Sequence, residues 1–459
     1  MAVRATFSAC RLIIDPRIED SERAFLAGAY DLAFLALHGI VSAAADLIRV
    51  RLMLRVGRLP DADDLIGRLR TRGLNENERA QLEVLDFALQ IRRRSPERSI
   101  KNRSEAKRLA EQLDLPELES EFWALDATDA YARNDLEQCE RSAWNAVHCD
   151  LTLTANPSSR RAGITSLSNS KARALLYLSL VRGSQCRFYE QLPLIREAIV
   201  TLKQQETPDI YLLAYCYCNL GFFARDFGLL DDLVELELVD TSHWPESLQM
   251  LALEIVRSKS WLYALRGEYG CALTLLEDVA RKREQALGCD GYWLAAVADS
   301  VIIASHSGYL RPKFDLTSAL SVARSFPWAE HPDQRFTLLL FAQALSIESS
   351  IEASRLVSVA ESLDPITYAL VNADRRNDAD RYYRIGVIRL NEGKVSEAIR
   401  LISDAFAIWL SCGHHWQATA AVLVLARHGL ADQLTVSYAR REALKYPMSW
   451  LMRDVKKWS

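Results

Sequence analysis

The chain has 459 residues, of which 49% are hydrophobic and 25% charged, with 18 glycines and 13 prolines; this excludes a disordered, collagen-like or low-complexity protein. A formal net charge of −4 excludes bulk attraction to nucleic acid or to an anionic membrane. Nine cysteines, an odd number without framework spacing, exclude a disulfide scaffold; Cys139, Cys216 and Cys271 fall in apolar helical patterns and read as small buried hydrophobes of a reducing compartment.

Residues 1–20 show no clear period. Arg4 and Arg11 sit in a mixed segment without an apolar h-region, so no signal peptide is expected and the chain is placed in the cytoplasm. Ala24 to Ile48 is the longest apolar stretch. Asp31, His38 and Asp46 interrupt it inside the ~20 residues a span needs, so it reads as a helix buried on most sides. Helices continue to about Arg72, with a turn at Gly57 and a second helix carrying Ala62 and Ile66. Asn75 with Glu78 has the spacing of a capping box and starts a helix to about Arg94, which Pro96 breaks. A helix over roughly 99–113 follows, and Pro116 opens another. Trp123, Ala127 and Asn134 then stand as aromatic, small and turn residues, with Cys139, Ala143 and Ala146 as the small face of a partner helix.

The run from Arg92 to Arg108 holds eight cations against Glu97 and Glu105. Such density suits phosphate or an acidic partner, but no aromatic offers base stacking, and the run reads chiefly as a solvated turn between helices. Residues 151–170 are rich in serine and threonine around Pro157 and Gly163 and read as a polar loop or hinge. It divides a helical-repeat segment over 1–150 from a second over 171–459.

Helices resume near Lys171, with turns at Gly183, Gly228, Gly267 and Gly308 and a cap at Thr207–Pro208. Tyr217, Leu220, Gly221 and Gly228 run aromatic, apolar, glycine, turn glycine. Tyr382, Ile385, Gly386 and Gly393 repeat that order, followed by Ala398, Ile402 and Ala405 at helical spacing. A glycine on a helix face lets a second helix approach closely, and a turn glycine lets the chain reverse. Trp416 and Ala420 each lie 34 residues beyond Tyr382 and Gly386.

This order and period resemble the tetratricopeptide repeat. The resemblance implies an all-α, right-handed superhelical solenoid of antiparallel helix pairs, about ten by the repeat length. The wider spacing of the middle turn glycines, at 45, 39 and 41 residues, is loosely similar to the solenoid sensor domains of large bacterial transcription activators. A phosphate-binding G-x-x-x-x-G-K-[ST] loop and a DNA-reading helix-turn-helix, other parts of such activators, are missing. The repeat pattern also implies a concave groove lined by the first helix of each pair. It sends Tyr215, Cys218, Phe222, Arg225 and Asp226 there from one unit, Arg257 and Trp261 from the next, and Tyr383 and Asn391 from the 382 unit. The family's carboxylate clamp uses Lys and Asn where this chain has Cys218 and Phe222, which argues against recognition of chaperone tails.

No H-E-x-x-H, G-x-S-x-G or G-x-G-x-x-G occurs, and no carboxylate pair stands out from the solvated helix faces. Cys412, His414 and His415 cluster in a turn, where adjacent histidines diverge and make a poor metal site. The expectation is a non-catalytic, regulatory scaffold or adaptor holding a protein or peptide, with no cofactor, no metal, no membrane and no nucleic acid. The alternative is a signal-sensing subunit that binds a small ligand or peptide and controls a transcription or defence partner.

Overall fold

The computed structural model describes residues 15–93, 96–113, 115–155, 169–185, 187–205, 207–228, 230–242, 244–308, 310–330, 335–363 and 375–445. Among the described residues there are twenty-two α-helices and no strand. They divide between two compact units. One takes Met1–Val181, Arg196–Leu213 and Pro245–Ser247; the other takes Arg182–Ile195, Ala214–Trp244 and Leu248–Ser459.

The first unit is a row of helix pairs: α1 (Pro16–Leu26) with α2 (Tyr30–Ala36), α3 (Ala43–Arg55) with α4 (Leu59–Arg70), α5 (Glu76–Arg92) with α6 (Pro96–Gln112), and α7 (Pro116–Ala132) with α8 (Leu136–Ala155). First helices also stack on first helices, α3 on α5 and α5 on α7. The α5 start is the expected capping box. Asn75 Oδ1 accepts from Glu78 N at 2.9 Å, and Asn75 N donates to Glu78 Oε2 at 3.0 Å. Pro116 occupies the first turn of α7, and Asn134 reverses the chain into α8 at φ 58°. Ala127, Cys139, Ala143 and Ala146 are fully buried, so small side chains do bring α7 and α8 together. Phe87 and Phe122, with ring centroids 5.7 Å apart, fill the space between α5 and α7. Each such ring contributes ~1.5–3 kcal/mol by leaving water. The chain then continues into α9 (Ser170–Ser184), α10 (Phe188–Lys203) and α11 (Ile210–Phe227). Residues 156–168 of the expected hinge lie outside the described residues; 151–155 belong to α8.

In the second unit follow α12 (Leu230–Glu237), α13 (Gln249–Leu265), α14 (Tyr269–Leu287), α15 (Gly291–Ser307), α16 (Leu316–Ser325), α17 (Arg335–Leu345), α18 (Ser350–Ser362), α19 (Arg375–Asn391), α20 (Val395–Ser411), α21 (His415–Arg427) and α22 (Gln433–Ala443). Again α13 pairs with α14, α17 with α18, α19 with α20 and α21 with α22, while α15, α17 and α19 stack as first helices. The two motif glycines do what their spacing implies. A methyl group at Gly386 would stand 2.6 Å from Ile402 Cγ1, and one at Gly221 would stand 2.6 Å from Ser258 Oγ. This pairing and stacking make both units tetratricopeptide-like helical repeats.

The second unit also closes on itself. Phe223 packs on Cys412, with Leu192 and Ile408 against them. Gly228, at φ +65°, lies under the Trp416 ring, whose Cε3 would be 2.7 Å from a methyl group there.

Four expectations fail in detail. Ala24–Ile48 is three helices, because Gly28 and Gly39 turn left-handed at φ 75° and 76° and Ser42 Oγ caps α3 by accepting from Ala45 N at 3.2 Å. Cys271 is exposed; its position on α14 faces solvent. Gly183 makes no turn. It lies within α9, where a Cβ would meet Gln191 Oε1 at 2.9 Å. The Thr207–Pro208 cap is displaced by Asp209, whose carboxylate accepts from Leu212 N at 3.1 Å. Asp364–Pro365 and Tyr446–Pro447 lie outside the described residues.

Candidate functional site

The helical period puts Tyr215, Asn219, Phe222 and Arg225 on one stripe of α11. The structure leaves that stripe accessible: Tyr215 is 36% exposed, and Asn219, Phe222 and Arg225 are half-buried. The Arg225 guanidinium sits over the Phe222 ring, 5.5 Å from its centroid, and Asn219 Nδ2 donates to the Tyr215 carbonyl at 2.8 Å. The side chain of Asp226 lies outside the described residues. Cys218, one step around the helix, is buried, and its thiol donates to the Leu251 carbonyl at 3.4 Å. Burial, reinforced by Glu254, pushes that thiol well above its usual range.

The next first helix carries its polar residues differently. Arg257 is buried, and its guanidinium donates to Asp299 on α15 at 2.6 Å and to Glu254 at 3.1 Å. Arg283 joins from α14, donating to Glu254 at 3.4 Å and to Asp290 at 2.9 and 3.2 Å. Burial works to lower the Arg257 pKa, but Asp299 and Glu254 outweigh it and hold the guanidinium charged above its usual value. Arg384 of α19 is similar. Its guanidinium binds Asp380 at 2.7 and 3.0 Å and Gln343 of α17 at 2.7 Å. Charged groups so enclosed are tolerated because each is paired. Trp261 is half-buried against the α13–α15 core, and its indole N–H has no hydrogen-bond partner among the described residues.

The last two candidates fall on α19. Tyr383 packs on Trp409 of α20 with centroids 5.2 Å apart, inside the hairpin core. Asn391 is exposed and donates to Ser346 Oγ at 2.8 Å. The structure therefore gathers Tyr215, Phe222 and Arg225 into one accessible stripe. It seats Arg257 and Tyr383 in packed surroundings. Sequence reasoning missed Glu254, Asp299, Arg283 and Arg384. The signal available for Asp299 was a lone carboxylate in the apolar run of α15, which calls for a buried cation.

The basic run is largely neutralised where its side chains are described. Arg93 pairs with Asp63 at 2.7 Å, Arg103 with Asp126 at 3.0 Å, and Arg108 with Glu105 at 2.6 Å. Lys107 lies over the Trp123 ring, 5.1 Å from its centroid. His414 and His415 diverge as expected: His415 Nδ1 meets Tyr438 Oη at 2.9 Å, while His414 is buried beside Gln417. Among the described residues no helix is long and apolar enough to cross a membrane.

No protein-family model matches the chain, and no curated protein matches it. Solved structures similar to it include a human IFIT1 dimer with m7Gppp-AAAA, at 15% identity and a TM-score of 0.43, covering 97% of this chain and 95% of that one. A human IFIT1 dimer with PPP-AAAA has 14% identity and a TM-score of 0.41, covering 99% and 95%. The APC/C hetero-tetramer Cut9-Hcn1 has 12% identity and a TM-score of 0.33, covering 95% and 94%.

Proposed function

We propose that the chain is a non-catalytic scaffold that holds a protein or peptide against its first helices in a regulatory role. The observation that carries this reading is the α11 stripe, where Tyr215, Phe222 and Arg225 stay accessible on a well-packed helix. Aromatic and arginine side chains dominate protein interfaces because they bury large area and hydrogen-bond at modest entropic cost. The stripe lies on a rigid element: Leu220 and Ala224 of the same helix are fully buried. Arg225 calls for an acidic side chain or terminal carboxylate on the partner, with binding weakened by salt.

The test is affinity capture from the native cell with quantitative mass spectrometry, comparing the chain with Tyr215→Ala and Arg225→Ala. Both variants should keep the parent melting temperature and lose the partner. Full capture by the double variant would remove the stripe from the interface and the reading with it.

A further inference from the structure

In a helical repeat each hairpin needs only its neighbours, so packing α11 does not call for any residue near 412. Yet the seam within the second unit falls on α11, the helix that carries the accessible stripe. Phe223 and Cys412 bury each other, with Leu192 and Ile408 against them. Gly228, one residue past the end of α11, lies close under Trp416: a methyl group there would meet ring atoms Cε3 and Cδ2 at 2.7 and 2.8 Å. Tyr189 of α10 reaches the same segment, its ring 3.8 Å from the Cβ position of Gly413. Cys412, Gly413 and Trp416 all belong to the turn between α20 and α21. One short segment of the carboxyl-side hairpins therefore makes all three contacts.

The stripe and the seam occupy the same turns of α11. Phe222 is adjacent to Phe223, and Arg225 lies between Phe223 and Gly228. Successive helix positions are ~100° apart, so Phe223 turns into the seam while Phe222 and Arg225 stay accessible beside it. On its other side α11 has a short hairpin partner. Gly221 meets Ser258 of α13 and Leu236 of α12, but α12 has 8 residues against 18 in α11. The second helices of the later hairpins have 10 to 19. A two-turn helix has little stability of its own, so the seam supplies support that the hairpin lacks.

We propose that the turn between α20 and α21 is the positioning element of the α11 site. Through Cys412 and Trp416 it holds the last turns of α11 in the form that presents Phe222 and Arg225. This rests on the reading of the stripe as the partner's contact. Seam closure and partner binding then favour each other by linkage. A partner seated on the stripe tightens the seam, and any event on the carboxyl-side hairpins that opens the seam weakens the partner's hold. Cys412 and Trp416 are positioning residues, acting on the partner only through α11.

The test uses the full chain and three readouts: iodoacetamide labelling of Cys412, which is buried in the closed seam, amide exchange over 220–227, and partner capture. Trp416→Ala leaves every residue of α11 unchanged. It should raise Cys412 labelling and α11 exchange, and lower capture, each at least about tenfold. Gly228→Ala should do the same from the opposite side, and serves if Trp416→Ala does not fold. Phe406→Ala is the control. It loosens α20 from α22, where Phe406 packs on Tyr438 with centroids 5.7 Å apart, and should leave α11 exchange and capture at the parent values. Labelled Cys412 with unchanged α11 exchange and full capture overturns the proposal and leaves the stripe reading standing. Cys412 protected in both seam variants overturns it too, as does an equal loss in Phe406→Ala, which marks general destabilisation. Full capture by the Tyr215→Ala, Arg225→Ala double variant instead refutes the stripe reading, and α11 exchange still decides whether the seam orders that helix.

Discussion

The contact at Gly386 gives the sharpest test of the repeat geometry. A Cβ there would stand 2.6 Å from Ile402 Cγ1 and 3.3 Å from both the Ile402 nitrogen and Leu401 Cβ. Real Cβ atoms do not approach to 2.6 Å, so α19 and α20 would have to separate. Overpacking of this kind costs ~1–3 kcal/mol, and Gly386→Leu should sit at or above the top of that range, because three further carbons follow the Cβ into the same seam. Gly386→Ala isolates the first contact. Part of its cost is returned by the ~1 kcal/mol by which alanine outranks glycine inside a helix. Gly67→Ala on α4 is the control: nothing lies within 4 Å of its Cβ position, so only the propensity term acts and the variant should gain ~0.5–1 kcal/mol. Urea unfolding of the three variants reads the differences. In Gly386→Ala combined with Ile402→Ala the clash is gone, so the double variant should lose less than the sum of the two single losses. Additive losses, or a Gly386→Leu variant that unfolds like the parent, would show that α19 and α20 do not touch there.

Asp299→Ala leaves Arg257 buried with one of its two carboxylates and should destabilise by ~3–5 kcal/mol; replacing Arg257 and Asp299 together by Met and Leu should cost much less in the same urea assay. Burial first, then Asp126 and Asp135, pushes the Cys139 thiol up to about 12, whereas Cys271 is exposed. Iodoacetamide at neutral pH should therefore label Cys271 in the native chain and Cys139 only in denaturant, read by peptide mapping; native labelling of Cys139 at the rate of Cys271 would contradict the α7–α8 packing. Asn75→Ala removes the acceptor for Glu78 N and should lose ~1 kcal/mol, with faster amide exchange confined to the first turn of α5. Asp432 caps α22 by accepting from Thr435 N, which holds its carboxyl below the usual range. That contribution is present above the unfolded pKa and lost as pH falls through the depressed folded value, so α22 should fray in acid, seen as rising amide exchange rates over Gln433–Ala443.

Some of this architecture is written in short-range patterns, and some is not. Gly386 and Gly221 were legible because a glycine one turn from an aromatic, with a turn residue seven further on, describes a single helix end and the close approach of a second helix. The capping box at Asn75 is equally local. Arg257 was misleading for the opposite reason. A cation on an otherwise apolar helix reads as outward-facing; Glu254 is one turn away, but the second carboxylate that holds it in the interior, Asp299, comes 42 residues later. Cys271 sits at apolar spacing, yet the pattern alone does not say which neighbouring helix covers that side of α14, and among the described residues none buries it. On α11 the repeat pattern supplies register, which is what groups Tyr215, Cys218, Phe222 and Arg225 as candidates. What register could not supply was exposure, which separates Tyr215 from Cys218 three residues away. The Arg55–Asp209 pair joins α3 to the start of α11 across 154 residues, and no window of the sequence spans it.

The seam of Gly228 on Trp416 and Phe223 on Cys412 changes how the second unit must bend and break. In an open array each repeat adds its own small rotation, the total is free to vary, and the outermost repeat can peel off by losing one neighbour. Joining residue 223 to residue 412 removes that freedom: the rotations between must sum to a fixed value, so twisting one hairpin obliges the others to twist back. Fraying from the carboxyl side must also break a contact made nearly two hundred residues upstream. The unit is therefore expected to unfold as one hoop rather than as a row of separable links, with its hairpins sharing a single transition.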